Sequence, residues 1–161
     1  ILKSIKNSKL ILKSSIPLQT KNIKSQFKKY GVLDSIIFSG SKPFKEHLNL
    51  YNSIDICLDT FPYNGVTTSF EALWMGIPVL TMKGYNFNSR CGESINKNLN
   101  LTSMIADDEN DYISKAKEFS DKEKLVNTRN IVFDNLLESP LFDGKKFSKE
   151  FLGSLEAIYN K

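Results

Sequence analysis

The sequence predicts an α/β fold: an open, doubly wound and mainly parallel sheet followed by C-terminal helices. Short apolar runs alternate four times with helical patterns between Lys9 and Leu99. Short connections between such runs favour parallel strands joined by crossover helices. From Asp121 onward the remaining pattern is helical.

Length and composition are those of one soluble globular domain. The chain has 161 residues, 40% of them hydrophobic and 25% charged, so we expect a single domain over residues 1–161. No apolar run is long enough to cross a bilayer, and we expect no membrane partner. The net charge of +4 comes from scattered lysines, which is typical of solvated surface and argues against a nucleic-acid partner.

The two cysteines, Cys57 and Cys91, have neither metal-ligand spacing nor a disulfide framework around them. We therefore predict no metal site and a cytoplasmic setting. The chain starts at Ile1 and soon enters a strand pattern, with no signal-peptide arrangement ahead of it. We expect it to be a fragment of a longer protein.

The first two strand–helix units are separated by glycine-containing turns. The first strand is predicted at Lys9–Lys13, and the lysine-rich helix Gln19–Tyr30 after it ends at Gly31, a residue type that favours helix C-termini. The second strand is predicted at Ser35–Ser39. A Gly-Ser-Lys-Pro turn then leads into a helix from about Phe44 to Asn52.

The third unit combines a strand, a glycine turn and a helix that begins with two threonines. Ile54–Leu58 is the predicted strand, and the turn ends at Gly65, just before Thr67 and Thr68. The apolar face of the helix comprises Phe70, Leu73 and Trp74. The later elements are predicted as strand, helix, strand and three helices: Gly76–Met82, Asn88–Leu99, Met104–Ala106, Asp108–Ser120, Asp121–Leu137 and Lys146–Tyr159.

Ligands of a doubly wound sheet bind outside the carboxyl ends of its strands. The loops expected there, Ser39–Ser41, Asp59–Gly65 and Thr81–Asn88, are polar and each contains glycine. We therefore expect them to face one crevice.

Thr67, Thr68 and Glu71 are the main candidates for ligand contacts in that crevice. Free N–H groups and the dipole at a helix start favour an anion, to which both threonine hydroxyls can also donate. Glu71, one turn on, can accept hydrogen bonds from ribose hydroxyls. The alternative is simple capping, because Thr68-Ser69-Phe70-Glu71 has the form of a capping box. Residue chemistry leaves both interpretations open.

His47, the only histidine, stands early in the second helix, where it can donate to a phosphate or simply pack. Phe44 and Tyr63 lie on nearby loops and either stack on a base or belong to the core. No Ser-His-Asp order, carboxylate pair or Walker loop is legible. We therefore predict no catalytic residue in this chain.

The run CLDTFPYNGVTTSFEALWMGIPVLTM, followed by SRCGES and later ESPLFDGKKFSKEF, closely resembles the C-terminal catalytic region of the O-GlcNAc transferase and SPINDLY family. The resemblance extends from about Ile36 to the end of the chain. It implies the C-terminal, Rossmann-like lobe of a two-lobed GT-B glycosyltransferase. That lobe binds the nucleotide-sugar donor, UDP-GlcNAc or, in SPINDLY-like members, GDP-fucose.

Site residues carry over from the resemblance by position. Thr67 and Thr68 match the threonines that hold the donor pyrophosphate, and Glu71 falls where an acidic residue binds the ribose. His47 matches a histidine beside the donor. The nucleotide-binding set implied in this way is Lys42, Phe44, His47, Gly65, Thr67, Thr68 and Glu71.

The chain also departs from the family pattern. Val66 replaces a histidine of the animal enzymes, Phe44 replaces a lysine against the uracil, and Leu50 replaces an arginine nearby. The Gln-x-x-Lys donor motif is absent from the chain, as is the N-terminal lobe with its acceptor groove. Base preference therefore stays open.

The resemblance implies an inverting transfer of GlcNAc from UDP-GlcNAc to Ser or Thr of a polypeptide, with neither metal nor cofactor. The full-length protein would carry out this transfer, and the isolated chain would be inactive. Tetratricopeptide repeats are a candidate for the segment upstream of this chain. One alternative is the donor lobe of another GT-B enzyme, such as a sugar-nucleotide epimerase. The other is a non-catalytic interaction module that retains the fold.

Overall fold

The computed structural model describes residues 1–13 and 17–160 and divides the chain into two compact units, Ile1–Leu50 and Tyr51–Lys161. Each unit contains parallel strands connected through helices. The predicted α/β class with parallel strands is confirmed. One Rossmann-like domain spanning residues 1–161 stays a prediction.

The first unit is built on a pair of parallel strands. β1 (Leu10–Lys13) lies beside β2 (Ile36–Ser39), with Leu10 opposite Ile36 and Lys13 opposite Ser39. Helix α1 (Pro17–Lys29) makes the crossover, and helix α2 (Phe44–Leu50) follows β2. Both predicted strands and both predicted helices are thus present.

Helix α1 ends just before Gly31, as the sequence predicts. Gly31 has a left-handed φ of 69°, and its N–H donates to the carbonyl of Lys28 at 3.0 Å. The N–H of Val32 donates to the carbonyl of Phe27 at 3.1 Å. These two bonds satisfy carbonyls of the last turn in the arrangement of a Schellman motif.

The second unit contains a three-stranded parallel sheet in the order β3-β4-β5. Its strands are β3 (Cys57–Leu58), β4 (Val79–Met82) and β5 (Ile105–Ala106). Its helices are α3 (Thr67–Trp74), α4 (Cys91–Asn98), α5 (Glu109–Glu118), α6 (Lys122–Leu136) and α7 (Gly144–Tyr159). Short 3-10 turns occupy residues 51–53, 87–89 and 102–104.

Strand β3 is shorter than the predicted Ile54–Leu58. Arg129 of α6 donates from Nη2 to the carbonyl of Ile54 and, at 3.3 Å, to that of Asp55. By the register of Cys57 with Val79, the donor that a longer ladder would bring to the carbonyl of Asp55 is residue 78, a proline without an N–H. The regular ladder starts only at Cys57, which pairs with Val79.

The core of the second unit surrounds β4. Its largest fully buried apolar side chains are Leu73, Leu80, Leu99, Leu101, Met104 and Val132. Asn96 of α4 is also buried and donates from Nδ2 to the carbonyls of Val79, at 2.8 Å, and Met104, at 3.2 Å. One amide group therefore ties α4 to β4 and to the segment that leads into β5.

Two apolar helix faces behave differently from one another. On α3, Phe142 packs edge-on against Phe70 and tilted against Trp74, both at 5.6 Å between ring centroids, although Trp74 stays 56% exposed. Helix α7 exposes all of its residues, including its stacked Phe147 and Phe151.

Among the helices of the described residues, none combines the length and apolar character needed to span a bilayer.

Candidate functional site

The loop between β3 and α3 is organised by the carboxylate of Asp59. Oδ1 accepts hydrogen bonds from the N–H of Thr60, at 3.0 Å, and of Gly65, at 2.7 Å. Oδ2 accepts one from the hydroxyl of Thr81 on β4 at 2.8 Å. The carboxylate thus closes the loop from its first residue to its last and fastens it to the neighbouring strand.

Asn64 holds the far side of the same loop. The residue is 2% exposed, and its Nδ2 donates to the carbonyl of Thr60 at 2.9 Å. Its Oδ1 accepts from the N–H of Gly92 at 3.2 Å, and its own N–H donates to the carbonyl of Asn88 at 2.9 Å. The loop after β3 is therefore bonded to the loop after β4 and to the start of α4.

Tyr112 of α5 supports the strand ends beneath the loop. Its hydroxyl donates to the carbonyl of Asp59 at 3.0 Å and is 3.3 Å from that of Leu80. Burial, reinforced by the charges of Asp59 and Cys57, holds the pKa of Tyr112 far above its usual range. The hydroxyl is thus a neutral donor at physiological pH.

Burial also governs the ionisable groups at the end of β3. Desolvation raises the pKa of Asp59 above its ordinary value, although hydrogen bonds from Gly65, Thr81 and Thr60 lower it in part. Burial, with the charge of Asp59 second, raises the pKa of Cys57 to about 11. Cys57 is therefore a protonated thiol at neutral pH.

Helix α3 starts directly after this loop, and its first turn is not capped by a side chain. Val66 is the N-cap residue and makes no side-chain cap hydrogen bond. The alternative interpretation of Thr68-Ser69-Phe70-Glu71 as a capping box is therefore wrong. Thr67 is already the first helical residue, so Thr68 and Glu71 lie too far along the helix to form that box.

Glu71 lies on the same side of α3 as the two threonines, because it follows Thr67 by four residues and Thr68 by three. Both threonines are exposed. Within the described chain, no protein acceptor engages the N–H groups of Thr67, Thr68 or Ser69, and the first bonded amide is that of Phe70, which donates to Val66. Donors of backbone and side chain thus converge at the helix start.

Glu71 is half-buried beside Tyr51. The Tyr51 hydroxyl lies 3.5 Å from Glu71 Oε2. Burial first, and then the charges of Cys57 and Glu71, raise the pKa of Tyr51 to about 12. Tyr51 is therefore a neutral hydroxyl at physiological pH, close to the Glu71 carboxylate.

Gly65 has a steric role that only a glycine can meet. A Cβ there would lie 2.5 Å from Thr68 Oγ1 and 3.1 Å from Ser69 Oγ. The N–H of Gly65 donates to Asp59, and its carbonyl accepts from Ser69 Oγ at 3.0 Å. Gly65 therefore joins the loop to the first turn of α3.

The other predicted nucleotide-binding residues lie in the first unit. Lys42 precedes α2 and forms a 3.8 Å ion pair with Glu46, and Phe44 is 70% exposed. His47 is on α2, with its Nδ1 3.0 Å from Nζ of Lys13 at the end of β1. A lysine ammonium can only donate, so this contact makes Nδ1 the acceptor and places the hydrogen of a neutral ring on Nε2.

Sequence reasoning missed the residues that hold the loop: Asp59, Asn64, Thr81, Gly92 and Tyr112. Two of them carried a signal. Thr81 is a polar residue within an apolar strand, and Gly92 interrupts a helical pattern, which often marks a close approach of two backbones. In the described residues, no three His, Cys, Asp or Glu side chains are grouped so that they could hold a metal ion.

Comparison with known proteins extends the resemblance to nearly the whole chain. The model of glycosyl transferase family 41 matches residues 1–151. The chain is 38% identical over 115 residues to the probable UDP-N-acetylglucosamine–peptide N-acetylglucosaminyltransferase SPINDLY of Solanum lycopersicum, covering 71% of this chain and 12% of that protein. It is 31% identical to the rice protein of the same name, over 99% of this chain and 17% of that one.

A solved structure agrees with these relatives. A mutant of Thermobaculum terrenum O-GlcNAc transferase superposes with a TM-score of 0.84 at 28% identity, over 98% of this chain and 31% of that one. The chain therefore spans only a minor part of the proteins it matches. With a family model that covers 151 of its 161 residues, the chain belongs to glycosyl transferase family 41.

Proposed function

We propose that this chain is the donor-binding part of a protein O-glycosyltransferase. In the full-length protein it binds the diphosphate and ribose of a nucleotide sugar, from which GlcNAc is transferred to Ser or Thr of a polypeptide. The observation that carries the proposal is the first turn of α3, where two exposed threonines stand beside amide groups that no protein acceptor engages in the described chain.

The chemistry of that turn suits a departing nucleoside diphosphate. Negative charge grows on the diphosphate as the bond to the sugar breaks. The N–H groups of Thr67, Thr68 and Ser69, the two threonine hydroxyls and the helix dipole all stabilise charge at that position. We propose that this transfer requires neither a metal nor a cofactor. Glu71, on the same side of the helix, would accept hydrogen bonds from the ribose.

The remaining residues of the proposed donor site are Lys42, Phe44, His47 and Gly65. Lys42 and Phe44 would line the base, and His47 would contact the donor phosphates. Support for the base subsite comes from the exposed ring of Phe44. UDP is the first candidate for the nucleotide and GDP the second. The acceptor groove and the group that deprotonates the acceptor belong to parts of the protein outside this chain.

The proposal also includes a cytoplasmic location, supported by the free thiols of Cys57 and Cys91. Tetratricopeptide repeats upstream stay a prediction that the complete reading frame tests. Neither alternative, an epimerase-type donor lobe or a non-catalytic module, is favoured by a specific contact in the described residues.

The test replaces both threonines in the full-length protein and measures UDP and GDP binding by calorimetry. Each lost bond to a charged oxygen is worth about 1.5–3 kcal/mol, so Thr67→Ala with Thr68→Ala should weaken binding by about tenfold or more. The free energy of unfolding should change by less than about 0.5 kcal/mol, because neither hydroxyl caps the helix.

A matched control is Thr102→Ala with Ser103→Ala, two exposed hydroxyl residues on another short helical turn of the same unit. The control should leave nucleotide affinity unchanged. Equal affinity in the Thr67/Thr68 variant and the control would refute the diphosphate site, as would a wild-type protein that binds neither UDP nor GDP.

A further inference from the structure

The structure points to Asp59 as a positioning residue for the donor, and we propose this role for it. Its carboxylate sets where the first turn of α3 meets the diphosphate, without touching the ligand. The inference rests on the proposed function, since it names the group that holds the diphosphate subsite in place.

The geometry gives Asp59 control over both ends of the loop. Oδ1 binds the N–H groups of Thr60 and Gly65, which are the first and last residues of the loop. Oδ2 binds the hydroxyl of Thr81, which is fully buried on β4. A single carboxylate therefore holds the loop in register with the sheet.

Gly65 transmits that constraint to the helix. Its N–H donates to Asp59 Oδ1 and its carbonyl accepts from Ser69 Oγ. A Cβ added to it would lie 2.5 Å from Thr68 Oγ1. Any shift of Gly65 away from Asp59 therefore moves the side of α3 that bears Thr68. A displacement of positioned groups by even about 1 Å can reduce function by up to about a hundredfold.

The chemistry of the carboxylate suggests a variant that keeps the role. In Asp59→Asn, the amide oxygen can still accept from both loop N–H groups, and Nδ2 can donate to Thr81 Oγ1, which then becomes the acceptor. In Asp59→Ala, all three bonds are lost. Positioning through hydrogen bonds therefore predicts that asparagine replaces aspartate and alanine does not.

Asn96 offers a control for general loss of stability. Its Nδ2 donates to the carbonyls of Val79 and Met104, and these bonds reach neither Asp59 nor the loop before α3. Asn96→Ala removes both buried bonds and leaves the three carboxylate bonds in place. It should lower the melting temperature and leave nucleotide affinity within about twofold.

The experiment measures the Kd for UDP, and the melting temperature without ligand, of five full-length proteins: wild type, Asp59→Ala, Asp59→Asn, Asn96→Ala and the Thr67/Thr68 double variant. We expect Asp59→Ala to raise Kd about tenfold or more, and Asp59→Asn to stay within about threefold of wild type. If Asp59→Ala does not fold, Thr81→Val takes its place, since it removes only the bond to Oδ2, and a rise of about threefold is expected.

Two results would overturn the inference while the diphosphate site survives. In the first, the Thr67/Thr68 double variant binds weakly while Asp59→Ala, or its Thr81→Val substitute, binds as well as Asn96→Ala. In the second, Asp59→Asn binds as weakly as Asp59→Ala. A Thr67/Thr68 double variant that binds like wild type would instead remove the proposed function itself.

Discussion

Gly92 and Asp59 approach so closely that a Cβ at Gly92 would lie 2.5 Å from Asp59 Oδ2. The same Cβ would meet Thr81, at 2.8 Å from its Cβ. The glycine near the start of α4 is therefore needed because the carboxylate and the threonine of the neighbouring strand occupy the space of a side chain.

Gly92→Ala is expected to destabilise the protein. The added methyl would push on the Asp59–Thr81 pair, and overpacking of this kind typically costs about 1–3 kcal/mol. The matched control is Gly153→Ala on α7, where a Cβ would meet nothing within 4 Å. That change should stabilise by about 0.5–1 kcal/mol through helix propensity. Denaturant unfolding of both variants measures the difference, and a Gly92→Ala as stable as wild type would contradict the close approach.

Asn96→Ala is expected to lose about 2–4 kcal/mol of unfolding free energy, because the buried carbonyls of Val79 and Met104 would each lose a donor. Asn98→Ala is the control on the same helix. Asn98 is exposed and its Nδ2 donates only to the carbonyl of Ser94, at 2.9 Å. It should cost less than about 0.5 kcal/mol. Thermal or denaturant unfolding decides, and similar losses at the two asparagines would count against the tie between α4, β4 and β5.

Asp59→Asn should gain stability relative to wild type as pH rises. Burial raises the pKa of Asp59 in the folded protein above its ordinary value of 3.8, so the folded state binds the proton more tightly than the unfolded state. The contribution of Asp59 to wild-type stability therefore falls as pH rises from about 3.8 through the folded pKa, and this cost persists above it. Asparagine does not titrate and escapes that cost.

The measurement for this titration is the unfolding free energy of wild type and Asp59→Asn at about pH 4 and about pH 7. The difference should move in favour of the asparagine variant at the higher pH. Three donors surround the carboxylate, from Gly65, Thr81 and Thr60, and the nearby ionisable groups are Cys57 and Tyr112, both protonated over this range. A difference that does not change with pH would show that burial of Asp59 is fully offset by its hydrogen bonds.

Local patterns predicted the elements but not the contacts between them. The helix start at Thr67 was correct because a glycine turn, a polar opening and an apolar periodicity coincide within a few residues. The end of helix α1 at Gly31 was also predicted correctly, because a helix C-terminal motif involves only neighbouring residues in the chain. The capping-box alternative failed because four residues of the right types fit several registers, and the helix begins two residues earlier than the box requires, with its N-cap at Val66 rather than Thr68.

The contacts that hold the candidate site in place could not be predicted from local patterns. Thr81 and Tyr112 reach Asp59 from 22 and 53 residues along the chain, and nothing in their immediate neighbours specifies that meeting. Similarly, Arg129 on α6 reaches the carbonyls of Ile54 and Asp55 from 75 and 74 residues along the chain. Such contacts follow from the packing of whole elements, whereas propensity and periodicity report only on each element by itself.

The 53-residue span between Tyr112 and Asp59 also bears on the order in which the protein matures. A distant contact carries a loop-closure cost that must be met before the contact can stabilise anything. During synthesis, the segment 59–65 leaves the ribosome well before α5 exists to support it. The loop between β3 and α3 is therefore expected to acquire its final shape late, after the helices and strands around it have formed.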